Sequence, residues 1–70
     1  MNRNEWIEAF SRQIGVDPPS EAEIEELLDL AASAAHASER TAAPLACWLG
    51  GRSGASLREL RSWAEGIGEQ

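Results

Sequence analysis

The spacing of apolar residues along the chain predicts four short helices. In the first, Trp6, Ile7, Phe10 and Ile14 recur at helical spacing and form one apolar face. An asparagine at position 2 or 4 can cap its start, and a glycine at position 15 stands where helices commonly end in the left-handed conformation. Two prolines in residues 16–19 then predict a stiff connector.

The second predicted helix, at about residues 20–38, is the central element of the fold. Ser20 and Glu23 form a capping box at its start. Its leucine-rich first half should fill the core, and its alanine-rich second half should let another helix approach closely. The stripe consists of Ile24, Leu27, Leu28, Ala31, Ala34, Ala35 and Ser38, with Leu30 widening it.

Two shorter helices follow. Thr41 is positioned to cap a third helix that starts at Ala42 and stops at the pair Gly50–Gly51. A second capping box, Ser56 with Glu59, predicts the start of a fourth helix. Glycines at positions 66 and 68 should fray that helix toward the C-terminus. The apolar residues of the third helix are Leu45, Trp48 and Leu49, and those of the fourth are Leu57, Leu60, Trp63, Ala64 and Ile67.

Composition supports an all-α fold. The 70 residues are 43% hydrophobic, alanine and leucine dominate, and tyrosine is absent, which is unlike a sheet protein. We therefore predict a single compact bundle of about four short helices, forming one small domain over residues 1–70. The three tryptophans are expected in its core.

The net charge of −6 is unevenly distributed. Residues 1–30 carry eight acidic residues and two arginines, whereas residues 31–70 carry four of each. Without a basic stripe, nucleic-acid binding is not expected. The acidic face is either solvated or meets a basic partner surface. The N-terminus lacks a signal-peptide pattern and no window resembles a membrane span, so the expected location is cytoplasmic.

Several segments resemble a known protein family. They are residues 4–7 (NEWI), residues 27–31 (LLDLA), His36, Glu39–Arg40 and residues 42–45 (AAPL). Together they are similar to a small actinobacterial, all-helical family of unknown function that is associated with molybdopterin-guanine dinucleotide biosynthesis. The resemblance implies a cytosolic partner such as the molybdopterin guanylyltransferase, and it implies no catalytic residue.

The densest group of functional side chains is His36, Glu39 and Arg40. One interpretation is structural: Glu39 pairs with Arg40, and the histidine, on the same helix face as Arg40, stabilises the helix C-terminus. The other is a recognition site in which Arg40 binds a carboxylate or phosphate. Catalysis is not predicted, because no nucleophile or substrate groove accompanies these residues.

Other candidate chemistry is weaker. Arg52 and Ser53, in a Gly-rich segment before a helix, could bind an anion through backbone N–H groups, although a flexible connection is the simpler interpretation. Cys47 sits in an apolar run that should raise its pKa, which disfavours a nucleophilic role. One histidine and one cysteine are too few for a zinc site, so we expect no metal and no cofactor.

These observations predict a non-enzymatic protein-interaction module that binds a cytosolic protein or a second copy of itself. The surfaces favoured by the sequence are the alanine half of the second helix, the His36–Arg40 junction and the acidic face. The alternative is a small anion- or nucleotide-phosphate-binding domain that uses Arg40, Arg52 and Ser53.

Overall fold

The computed structural model describes residues 1–67, and within that range it contains helices and no strands. The predicted all-α fold class and its four helices are confirmed. The predicted fraying toward Gln70 lies outside the described residues. The helices are α1 (Arg3–Ile14), α2 (Glu21–Ala37), α3 (Ala42–Ser53) and α4 (Leu57–Ile67).

Side-chain capping defines three of the four helix starts. At α2, the Glu23 N–H donates to the Ser20 hydroxyl at 3.1 Å, and the Ser20 N–H donates back to the Glu23 carboxylate at 2.8 Å. The same reciprocal arrangement links Asn2 with Glu5 and Ser56 with Glu59. Both capping boxes predicted from the sequence are confirmed, because such boxes depend only on residues three apart.

The predicted end of α3 is wrong. The helix continues through Gly50 and Gly51 to Ser53, and it ends at Gly54, whose φ is 74°. Two glycines weaken a helix by about 1 kcal/mol each relative to alanine, but tertiary packing overrides that preference here. Gly50 is buried, and a Cβ built on it would lie 2.8 Å from a Leu60 methyl carbon. The glycine is therefore a site of close helix approach.

Helix α2 is the centre of the bundle and packs against both α3 and α4, as predicted. Leu30 of α2 is 4% exposed. Within residues 1–67 it is the one apolar side chain that is buried. Leu28, predicted on the core stripe, is 51% exposed instead and lines the groove between α1 and α2. The alanine half of α2 is half-buried, so much of it is already used inside the domain.

The helices beside α2 run in opposite directions. Helix α3 follows a four-residue junction and returns along α2, so that Gly50 lies near Leu30. Helix α4 starts beside the start of α2, where Arg58 shares a hollow with Glu26. Farther along, the Arg61 guanidinium lies 3.4 Å from the Asp29 carboxylate. Helix α4 therefore runs in the same direction as α2.

Helix α1 is attached through its N-terminal half. Ile7 faces the start of α2 across an apolar groove of about 170 Å³ that also includes Pro19 and Ile24. Trp6 and Phe10 point elsewhere and stack on each other, with ring centroids 5.1 Å apart. The resulting bundle measures 40 × 24 × 18 Å. Among the described residues, none of the helices combines the length and apolar composition needed to cross a bilayer.

Candidate functional site

The junction between α2 and α3 holds His36, Glu39 and Arg40 at the surface, and all three are exposed. The chain leaves the helical conformation at Ser38, where φ is −138° and ψ is −103°. His36 and Arg40 are therefore separated by a break and do not share a helix face, so that part of the structural interpretation is wrong. The i, i+4 relationship requires a continuous helix.

The hydrogen bonds at the start of α3 also differ from the prediction. Thr41 is already in the helical region, and its hydroxyl donates to the Glu39 carboxylate at 3.4 Å and does not cap α3. The first amides of α3 instead donate to the carbonyls of Glu39 and Arg40 at 2.9 and 3.2 Å. In residues 1–67 the one ion pair joins α2 to α4, so the predicted Glu39–Arg40 pair does not form. The junction is left as an open group of polar side chains, and its role in recognition stays a prediction.

The three side chains of the predicted anion site do not converge. Arg52 lies over the Trp48 ring at 4.7 Å, and the Ser53 hydroxyl donates to the Gly50 carbonyl at 2.7 Å. The same hydroxyl accepts the Ala55 N–H at 3.1 Å. Arg40 precedes α3 and Arg52 lies in its last turn, so about 18 Å of helix separates them. No single phosphate could contact both guanidinium groups in this arrangement.

Cys47 lies half-buried on α3. Burial raises the pKa of its thiol above the ordinary value, as the sequence predicted, because the charged thiolate is disfavoured in an apolar setting. In the part of the chain that the structure describes, no three histidine, cysteine or acidic side chains are grouped closely enough to hold a metal ion. Cys47 is therefore suited to packing.

Helix α3 is arranged with its small residues inside and its large apolar residues outside. Its inner face consists of Ala42, Ala43, Ala46, Cys47 and Gly50, all at least half-buried. We call Leu45, Trp48 and Leu49 the outer face; they are 63%, 61% and 59% exposed. A soluble helix normally turns its large apolar residues toward the core. The outer face of α3 is thus free to meet another surface.

The other aromatic residues are also at the surface, so the prediction that the tryptophans fill the core is wrong. Trp6 and Phe10 of α1 and Trp63 of α4 are each about half exposed. Ile67, predicted to point inward on α4, is exposed as well. The reason is that α3 packs against α2 through its small inner face. Gly50 and the alanines allow the two helices to approach closely, so the larger side chains are not needed in the contact. The aromatic area remains unburied.

The total surface supports the same conclusion. The chain has 5635 Å² of accessible surface and a mass of 7.6 kDa. A compact monomeric protein of that mass exposes about 4,300 Å². The excess of about 1,300 Å² shows that this bundle buries less of its surface than an average compact protein of the same mass.

Comparison with known proteins gives one positive result. Residues 1–69 match DUF6457, a domain of unknown function. The chain belongs to the DUF6457 family. This match confirms that the chain belongs to a family of unknown function. The match itself names no organism, pathway or ligand. No curated protein matches this DUF6457 chain, and no solved structure does.

Sequence reasoning grouped Leu45, Trp48 and Leu49 as the apolar residues of α3 but did not predict that they are exposed, although the sequence holds a signal for it. Helix α3 is apolar all round, so its pattern alone does not say which side is buried. The glycine at position 50 falls on the side opposite the large residues, in line with Ala43 and Ala46. In this DUF6457 chain, a row of small residues marks the closely packed side of the helix, and the large residues therefore face outward.

Proposed function

We propose that this DUF6457 domain is a non-enzymatic protein-interaction module. The observation that carries the proposal is the outward orientation of the large apolar residues on α3, together with the exposed aromatic pair of α1. Monomeric proteins rarely leave contiguous apolar surface of this kind uncovered. Tryptophan and other aromatic residues at such positions are also the usual anchors of protein interfaces.

The proposed binding surface differs from the one that the sequence favoured, because it is the outer face of α3 and not the alanine half of α2. The alanine half of α2 is engaged in packing against α3, so it is not the free face that the sequence suggested. The His36–Arg40 junction stays in the proposal as a polar contribution at the edge of the interface. Exposed polar groups at an interface rim contribute specificity more than affinity.

The partner is expected in the cytoplasm. The acidic first 30 residues favour a partner with a basic surface, since opposite charges speed association and orient it. The resemblance described above makes a molybdopterin guanylyltransferase the first protein to test as that partner. A second copy of the chain is the other partner to test.

The experiment is a quantitative affinity capture from the lysate of the native host, with native mass spectrometry of the eluate. The wild-type chain should retain a protein at fixed stoichiometry, or a second copy of itself. Leu49→Arg changes the outer face of α3, and Phe10→Arg changes the exposed face of α1. Both residues are exposed, so neither variant should unfold the domain, which circular dichroism checks. At least one variant should lose the complex.

Arg58→Ala is a matched surface control, because Arg58 is exposed on α4 and belongs to neither apolar face. It should retain the complex. Arg40→Ala tests the junction and should weaken the complex while helicity is unchanged. If wild-type protein remains a bare monomer at its cellular concentration, with no bound protein in the eluate, the interaction proposal is wrong.

A further inference from the structure

We infer that the partner of the α3 outer face is a second copy of this chain, which packs α3 against α3 in an antiparallel, two-fold symmetric dimer. The inference rests on the proposed function and specifies which partner uses this face. In such an interface the same patch is used by both copies, so it must be complementary to itself.

The spacing of the outer face meets that requirement. The three residues of the outer face and the adjacent Arg52 occupy positions 45, 48, 49 and 52. Their separations of three, one and three positions are the same in both directions along the helix. A two-fold axis between positions 48 and 49 places Trp48 of one copy opposite Leu49 of the other. It also places Leu45 opposite Arg52, whose guanidinium already lies over the Trp48 ring at 4.7 Å. The pairing brings aromatic and aliphatic groups together and keeps the two Arg52 side chains apart.

The apolar area of the outer face is close to what a dimer needs. Leu45, Trp48 and Leu49 are 63%, 61% and 59% exposed. With roughly 200 Å² on each large apolar side chain, they present about 370 Å². A standard interface buries about 800 Å² on each side, of which somewhat more than half is apolar.

Charge also favours this face. Two copies of a chain with a net charge of −6 repel each other, and eight of its twelve acidic residues lie within residues 1–30. Helix α3 contains no acidic residue and one arginine. By contrast, the exposed aromatic residues of α1 share their helix with Glu5 and Glu8 and precede the acidic start of α2. The α3 face is where two identical copies meet with the least repulsion.

Sedimentation equilibrium of the full chain tests the inference. The wild type should show twice the monomer mass of 7.6 kDa at high concentration and dissociate on dilution. Leu49→Arg should raise the dimer dissociation constant by about 30-fold or more, because it places a charge at the centre of the interface. Phe10→Arg is the matched control: it introduces the same charge on another exposed apolar face and should leave the dimer intact.

Cysteine cross-linking tests the orientation in a Cys47→Ser background. Leu49→Cys places the two thiols beside the proposed axis and should form a disulfide readily. Leu45→Cys places them about 10 Å apart along the helix direction and should cross-link slowly. Rapid cross-linking of Leu45→Cys would indicate parallel pairing and would overturn the antiparallel arrangement.

Two other outcomes also overturn the inference. A dimer that survives Leu49→Arg but is lost in Phe10→Arg would place the interface on α1. A wild-type chain that stays monomeric at every concentration would show that no second copy binds. In that last case the proposed function still stands if a different protein is captured by the wild type and lost with Leu49→Arg, and it fails if none is.

Discussion

Two adjacent glycines in α3 provide a direct test of the packing described for the bundle. Gly50 faces Leu60 and Leu30, whereas a Cβ built on Gly51 meets nothing within 4 Å. Both residues lie within the helix, so alanine at either position gains the same helix propensity, about 0.5–1 kcal/mol. The two substitutions differ in what the new methyl group meets.

The expected magnitudes follow from the distances. Gly51→Ala should stabilise the domain by about 0.5–1 kcal/mol. The new methyl of Gly50→Ala would lie 2.8 Å from the Leu60 Cδ1 atom, whereas carbon atoms prefer about 3.5–4 Å. Relief requires only a rotation of the end of the half-buried Leu60 side chain, so the cost lies below the roughly 1–3 kcal/mol of overpacking in a rigid core. Gly50→Ala should therefore be less stable than Gly51→Ala, by up to about 1 kcal/mol.

Urea unfolding followed by circular dichroism, at a low and constant protein concentration, measures both changes. Thermal unfolding provides a second measurement, since 1 kcal/mol corresponds to a shift of about 4–8 °C in melting temperature for a domain of this size. Leu60→Ala in both backgrounds completes the design: truncating Leu60 should cost less in Gly50→Ala than in wild type, since it also removes the clash. If Gly50→Ala is as stabilising as Gly51→Ala, and its effect is independent of Leu60, the packing of the Leu60 side chain against Gly50 is refuted.

The remaining predictions concern the core, the thiol and a helix cap. Leu30→Ala should cost about 2–5 kcal/mol of unfolding free energy in chemical denaturation, because Leu30 is buried, whereas Leu28→Ala on the same helix should cost less than about 1 kcal/mol. Unfolding free energy should be constant up to about pH 9 and decline above it, since burial raises the pKa of the Cys47 thiol and the unfolded chain ionises first. The chain has neither lysine nor tyrosine, so Cys47→Ala should remove the decline in denaturation measured from pH 8 to 11; an unchanged decline would contradict the assignment. Ser56→Ala should cost about 1 kcal/mol of unfolding free energy by removing the N-cap of α4. Ser62→Ala, at an exposed position in the middle of α4, should cost nothing. Equal losses of the two variants in thermal unfolding would contradict the capping role.

The helix starts could be predicted from the sequence because their causes are local. A capping box needs only two residues three positions apart, so Ser20 with Glu23 and Ser56 with Glu59 identify the starts of α2 and α4 without knowledge of the fold. Gly15 likewise ends α1 as predicted, with a φ of 75°. These features depend on the chain within one helical turn.

The end of α3 and the site could not be predicted in the same way, because tertiary packing decides both. Gly50 and Gly51 read as a helix stop, but α3 continues through both, with Gly50 packed beside the Leu60 side chain. His36 and Arg40 read as helical neighbours, but the chain breaks at Ser38. In both cases the sequence pattern was consistent with two local conformations, and contacts distant in sequence selected one of them.

The same limit explains why apolar spacing located the outer face of α3 without showing that it is exposed. Periodicity identifies an apolar stripe but does not say whether the chain itself or another molecule covers it. Here α2 accepts the small face of α3, which leaves Leu45, Trp48 and Leu49 to be covered from outside. Covering them should also stabilise the domain, because a partner that binds only the folded state raises its unfolding free energy by mass action. If the outer face is the interface, melting temperature should rise with protein concentration in the wild type and be independent of concentration in Leu49→Arg. A wild-type melting temperature that does not change over a hundredfold range of concentration would show that the face stays uncovered in solutions of this chain alone.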